Sequence, residues 1–137
     1  MSVERFFDTN ILLYGYDLDA PVKRQIAREI LEKAWKNPGT AAISVQVLQE
    51  FHVNFVRKGN APTDAILLIE DFTLWRVIDN SLPLFRHGLM LQERWQLSLW
   101  DSMILAAAHA SGAKELITED LTHGQDYGGV RAINPFR

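Results

Sequence analysis

Four acidic residues are spaced so that they could form one metal site. Two of them, Asp8 and Asp120, come at the ends of short apolar segments. The other two, Glu50 and Asp101, lie in segments whose apolar residues repeat with helical spacing. Carboxylate oxygens are the ligands that Mg²⁺ and Mn²⁺ prefer, so a cluster of these side chains could bind divalent cations.

Each acid also has a purely structural explanation. Asp8 could cap the helix predicted after it, Asp120 could hold the turn after its strand, and Glu50 could be an ordinary surface residue. Asp101 fits a variant of the capping box that begins at Ser98. For each acid taken singly, the structural explanation is favoured over metal binding. Taken together, the four positions favour a metal site, although the residue pattern does not show that the side chains meet.

The elements that carry these acids alternate between strands and helices. Apolar and turn-forming residues predict strands over residues 3–7, 41–44, 75–78, 115–118 and 130–133. They predict helices over residues 10–16, 21–35, 45–57, 62–72, 82–95 and from 98 to the glycine at 112. Strands joined through helices imply a mostly parallel sheet covered on both faces, and we expect one α/β domain over residues 1–137.

This topology predicts where the acids lie. Ligands of such sheets gather at the carboxyl ends of the strands, and Asp8 and Asp120 both follow strands. If those two strands are neighbours, the two carboxylates converge. Glu50 falls on the flank of a buried helical stripe. Asp101 occupies the first turn of a helix whose segment 102–108 is so apolar that it must be largely buried.

Composition restricts the classes of function. The chain has no cysteine, which excludes disulfides, thiolate metal sites and cysteine nucleophiles, and favours the cytoplasm as its location. Its apolar runs are shorter than the roughly 18 residues that a membrane span needs, so we expect no membrane segment. The 14 basic and 17 acidic residues carry a net charge of −3, so contact with nucleic acid must be local or metal-assisted.

Four segments, in order, resemble the motifs of PIN domains. They carry Asp8, Glu50, Asp101 and Asp120 and cover residues 6–10, 44–51, 99–102 and 116–120. The end of the chain, residues 129–136, also resembles a PIN terminus. The resemblance covers nearly the whole sequence, at a length typical of VapC-like toxins from type II toxin–antitoxin modules.

The resemblance implies a three-layer α/β/α fold with a central parallel sheet of about five strands. It also implies an endoribonuclease that uses one or two Mg²⁺ or Mn²⁺ ions, forms a homodimer and is inhibited by a small antitoxin. The four acids match the family's metal-binding positions. Thr118 matches a hydroxyl position beside the site, and Asn10 matches a polar supporting position. Asp126 is the candidate for a further acid that some members carry, but its register in the loop 124–129 is open.

Other readings remain. A non-catalytic PIN-like module would bind RNA or protein without cutting. A haloacid dehalogenase would need a second aspartate where Asn10 stands, and a receiver domain would need a lysine after the strand that Lys114 precedes. We expect His52 and His109 to be structural.

Most tryptophans are expected in the core. Trp95 and Trp100 are the candidates for stacking on RNA, since Trp100 adjoins Asp101. The apolar residues of segment 82–91 could fill the core or form a dimer or partner surface.

Overall fold

The computed structural model describes residues 2–137. Its strands are β1 (Arg5–Phe7), β2 (Ala41–Ser44), β3 (Arg76–Ile78), β4 (Glu115–Ile117) and β5 (Arg131–Ile133). Its helices are α1 (Thr9–Tyr14), α2 (Pro21–Lys36), α3 (Val45–Arg57), α4 (Pro62–Phe72), α5 (Leu82–Trp95) and α6 (Leu99–Ser111), with a 3₁₀ turn at Pro38–Thr40. Within these residues, no helix has both the length and the apolar character needed to cross a membrane.

The five strands form one parallel sheet in the order β3-β2-β1-β4-β5, with helices on both faces. The predicted α/β class and the predicted parallel sheet are confirmed. β1 is the central strand and pairs with β4 so that Phe7 lies opposite Ile117. The residues that follow these two strands are therefore neighbours at one edge of the sheet.

Serine caps begin three of the helices where the sequence predicts. The Oγ atoms of Ser44, Ser81 and Ser98 accept hydrogen bonds from backbone N–H groups in the first turns of α3, α5 and α6. Gly112 ends α6 with a φ of 79°, which glycine adopts without strain. Because these local signals suffice, β2, α3, α4 and α5 have the predicted bounds.

The first strand and helix differ from the prediction. β1 begins at Arg5 rather than residue 3, because its pairing with β2 and β4 begins there. α1 begins at Thr9 and ends at Tyr14, since the Asp8 carboxylate caps it one residue earlier than predicted. These shifts place Asp8 itself at the junction of strand and helix.

The core lies between the sheet and the helices and includes a group of aromatic rings in mutual contact. Trp75 lies 4.6 Å from Trp35, 5.2 Å from Phe72 and 5.4 Å from Phe7 between ring centroids. The predicted core positions of Trp35 and Trp75 are therefore confirmed. In α6, every residue from 102 to 108 is buried, as its apolar sequence predicts.

Candidate metal centre

Asp8 lies at the end of the central strand and is only 7% exposed. Its Oδ1 accepts a 2.7 Å hydrogen bond from the backbone N–H of Thr9, which caps α1. Its Oδ2 accepts a 2.7 Å hydrogen bond from the hydroxyl of Thr118. The register of β1 against β4 brings this hydroxyl alongside, because both residues directly follow paired positions. Asp8 is thus both a helix cap and part of the strand-end cluster.

The carboxyl group of Asp8 has an unusual protonation equilibrium. Burial, with a smaller contribution from the negative charge of Asp120, raises its pKa from 3.8 to about 7. The hydrogen bonds from Thr118 and Thr9 favour the charged form but do not overcome the burial. A positive charge placed beside this carboxylate would favour its charged form and lower the pKa.

Asp120 brings the carboxylates of β1 and α6 into one electrostatic group. It is exposed in the turn after β4, where its backbone N–H donates to Thr118 Oγ1 at 3.1 Å. Burial raises the pKa of Asp101, the Ser98 hydroxyl opposes this, and the charge of Asp120 raises it further. Asp120 therefore acts on both Asp8 and Asp101, as expected for side chains at one rim.

Glu50 is connected to the same group through Thr9. The Thr9 hydroxyl donates to Glu50 Oε1 at 3.2 Å, while its backbone N–H donates to Asp8. A second donor, Gln46 Nε2, lies 3.3 Å from Glu50 Oε1. Sequence reasoning missed both donors. Thr9 adjoins Asp8, and Gln46 lies one helical turn before Glu50, so the spacing alone could have suggested them.

The donor set fits a hard divalent cation. Its ligand atoms are carboxylate and hydroxyl oxygens, and the charge of Asp120 raises the pKa of both Asp8 and Asp101. Within residues 2–137, no three acidic or histidine side chains already converge closely enough to hold one ion. Mg²⁺ does not require such a cage, because proteins bind it through one or two carboxylates together with waters and substrate phosphates.

Comparison with known proteins identifies the family of this chain. The family model for the PIN domain matches residues 5–124, a range that contains all four acids. The chain belongs to the PIN domain family. No curated protein matches this PIN domain significantly in sequence.

Solved structures resemble this PIN domain over most of their length. A toxin–antitoxin complex from Klebsiella pneumoniae is 26% identical, with a TM-score of 0.70 over 96% of this chain and 98% of that one. VapC20 from Mycobacterium tuberculosis, described as a toxin that cleaves the sarcin-ricin loop, is 18% identical, with a TM-score of 0.64 over 82% and 87%. DNA-bound VapBC from Salmonella typhimurium is 20% identical, with a TM-score of 0.67 over 95% and 96%. At 18% and 20% identity, the last two structures show similarity of fold only.

The two supporting residues suggested for the PIN site have different surroundings. Asn10 is half-buried, and its side chain makes no hydrogen bond within the described residues. Asp126 is exposed and accepts a 2.6 Å hydrogen bond from the N–H of Gly129. The backbone of Asp126 also forms an isolated antiparallel β-bridge with Arg131, so Asp126 stabilises its own loop.

A polar cluster holds the loop of the PIN domain that carries Asp120. Both oxygens of Glu119 accept 2.8 Å hydrogen bonds, one from the hydroxyl of Tyr14 and one from Lys23 Nζ. Lys23 also lies over the rings of Tyr14 and Phe136. Glu119 directly precedes Asp120, so these contacts hold the segment after β4 against α1 and α2.

The other chemistry-bearing side chains divide between core and surface. His109 Nε2 is hydrogen-bonded to the carbonyl oxygen of Tyr127 at 2.8 Å, which confirms a structural role. Trp95 is half-buried and packs against Tyr127 with ring centroids 5.1 Å apart, which leaves it less exposed for stacking than Trp100. Trp100 is 67% exposed and directly precedes Asp101. Of the four tryptophans it is the exposed one.

Proposed function

We propose that this PIN domain is a metal-dependent endoribonuclease and the toxin of a type II toxin–antitoxin module. Mg²⁺ or Mn²⁺, as one or two ions, would be held by Asp8, Glu50, Asp101 and Asp120. The observation that carries the proposal is the buried Asp8 carboxylate, whose pKa is raised by burial and by Asp120 in a chain of this family. RNA as substrate puts the site of action in the cytoplasm.

The roles of the residues follow from their contacts. When bound, the metal would act as a Lewis acid, which neutralises the charge of the scissile phosphate and lowers the pKa of the attacking water. Thr118 and Thr9 hold the Asp8 carboxylate in one orientation through hydrogen bonds to its two oxygens. The exposed ring of Trp100 offers a surface on which an unpaired base can stack beside Asp101.

The toxin role is supported by the structural neighbours. The Klebsiella protein, at 26% identity, comes from a toxin–antitoxin complex, and VapC20 is described as a toxin that cleaves the sarcin-ricin loop. We therefore propose a small antitoxin as partner. We also propose a homodimer. The exposed apolar residues of α5 are available for either contact, and they are Leu82, Phe85, Leu89 and Met90.

Cleavage of RNA by the purified protein tests the enzymatic proposal. We expect cleavage with Mg²⁺ or Mn²⁺, none with a chelator, and loss of cleavage in Asp8→Asn and Asp101→Asn variants that remain folded. Asp79→Asn serves as the control, because Asp79 is exposed and follows β3, the edge strand that β2 separates from β1. Undiminished cleavage by the two site variants would refute the site. RNA binding without cleavage would instead favour the non-catalytic module.

Co-expression tests the partner. A short protein encoded next to this chain should co-purify with it and inhibit cleavage. Light scattering of the purified chain should return the mass of a dimer. A monomeric protein that still cleaves RNA would refute the dimer without affecting the assignment of the metal site.

A further inference from the structure

Gln46 is a buried glutamine whose side chain lies between two of the helices that carry acids. It is 8% exposed and sits one turn before Glu50 on α3. Its Nε2 lies 3.3 Å from Glu50 Oε1 and 3.3 Å from the carbonyl oxygen of Trp100. Trp100 directly precedes Asp101 in the first turn of α6. One amide group therefore connects the helix of Glu50 to the helix of Asp101.

Both N–H donors of this amide are used for these two contacts. A side-chain amide carries two N–H donors on one nitrogen, and Gln46 has two acceptors for them. A buried amide costs free energy unless its polar atoms are bonded. A leucine would fill similar space without that cost, so packing does not explain a glutamine at this position.

The contacts also orient the carboxylate of Glu50. Its Oε1 accepts from two directions, from Thr9 Oγ1 at 3.2 Å and from Gln46 Nε2 at 3.3 Å. Its Oε2 accepts no hydrogen bond from any group in residues 2–137. Two donors on one oxygen restrict rotation of the carboxylate and keep the other oxygen available for a cation.

We propose that Gln46 is a positioning residue of the metal site, which orients Glu50 and holds it in register with Asp101 through the carbonyl of Trp100. This inference rests on the proposed metal-dependent function. Groups that hydrogen-bond to metal-ligating side chains raise metal affinity, and their loss costs roughly tenfold or more. Gln46 acts on the cation through Glu50, so its effect must depend on that carboxylate.

A double-mutant cycle on Mn²⁺ affinity tests this dependence. Mn²⁺ binding is measured by electron paramagnetic resonance in the full chain, without RNA, for wild type, Gln46→Leu, Glu50→Gln and the double variant. We expect Gln46→Leu to weaken binding roughly tenfold. We expect no further weakening when it is added to Glu50→Gln. Gln49→Leu is the matched control, since Gln49 is an exposed glutamine of the same helix, and it should bind as wild type does.

The outcomes separate this inference from the proposed function. A wild-type chain that binds no Mn²⁺ overturns the metal site and this inference together. Equal affinity of wild type and Gln46→Leu overturns this inference alone. A tenfold loss that persists in the Glu50→Gln background also overturns it, because the effect would then come from general packing of α3.

A second measurement keeps the inference testable if Gln46→Leu does not fold. The side-chain NH₂ signals of Gln46 can be followed by nuclear magnetic resonance in the wild-type chain. We expect them to be protected from solvent exchange and to shift when Mg²⁺ is added. Signals that exchange freely, or that do not respond to Mg²⁺ while those of Thr9 and Asp8 do, would overturn the proposal.

Discussion

Replacing Asp8 by asparagine should make the metal-free protein more stable at alkaline pH. Asparagine has a similar shape and carries no charge. Its Oδ1 can still accept from the N–H of Thr9, and its Nδ2 can donate to the hydroxyl of Thr118 in place of the present bond. The variant therefore removes a buried charge with little change in packing, at the cost of the proposed cation ligand.

The size of the effect follows from the pKa of Asp8. Burial, with the charge of Asp120, raises that pKa from 3.8 to about 7 in the folded chain. Below about pH 4 the carboxyl is protonated in both states and has no effect on stability. Between about pH 4 and 7 the unfolded chain releases its proton first, so stability falls as the pH rises. Above pH 7 the loss is complete at about 4 kcal/mol, since each unit of pKa difference is worth about 1.4 kcal/mol.

Thermal unfolding from pH 4.5 to 8.5, in a chelating buffer, measures this difference. At pH 8 we expect Asp8→Asn to melt roughly 10 °C or more above wild type, from a typical unfolding entropy for a chain of this length. This difference in melting temperature should disappear as the pH falls towards 4. Asp79→Asn, at an exposed turn, should follow wild type throughout. Asp120→Asn should recover a smaller part of the gain, because it removes the second cause of the raised pKa.

Addition of Mg²⁺ or Mn²⁺ should make wild type melt at a higher temperature than Asp8→Asn. A cation that binds only the folded state stabilises wild type in proportion to the logarithm of its concentration, whereas Asp8→Asn should respond weakly. A variant that melts at or below the wild-type temperature at pH 8 without metal would refute the buried, uncompensated charge. A pH-independent gain would show that the stabilisation has another origin.

Three further variants test separate contacts. Thr118→Val removes the hydroxyl donor to Asp8 and should lower the free energy of unfolding by about 1.5–3 kcal/mol at pH 8. Thr118→Ser should keep most of the wild-type stability. Equal stability of the wild type and both variants in urea unfolding would refute the contact. Trp100→Ala should change stability by less than about 0.5 kcal/mol and weaken RNA binding roughly tenfold, with Trp100→Phe intermediate. Unchanged RNA affinity would exclude stacking there. Gly88→Ala should cost about 1–3 kcal/mol in urea unfolding, because its Cβ would approach Met103 Sδ; unchanged stability would mean that this side chain repacks.

Local signals were enough to predict most of the fold. Four elements have the bounds that caps, prolines and apolar periodicity predict, and the alternation of strands and helices predicts the parallel sheet. The late start of β1 was missed because strand pairing decides it, whereas α1 starts early because the Asp8 carboxylate caps it locally. The contact of Trp95 with Tyr127 was not predicted, because it joins residues far apart in sequence.

The sequence by itself determined which side chains could bind a cation, since residue type and strand or helix position are local properties. It named Asp8, Glu50, Asp101 and Asp120, and matched Thr118 to a position beside them. The tertiary structure decided how they interact. The neighbouring positions of β1 and β4 bring Thr118 onto Asp8, and burial beside Asp120 raises its pKa. The bridge from Gln46 to Glu50 and Trp100 also depends on the tertiary structure, because folding brings the first turn of α3 within hydrogen-bonding reach of the first turn of α6.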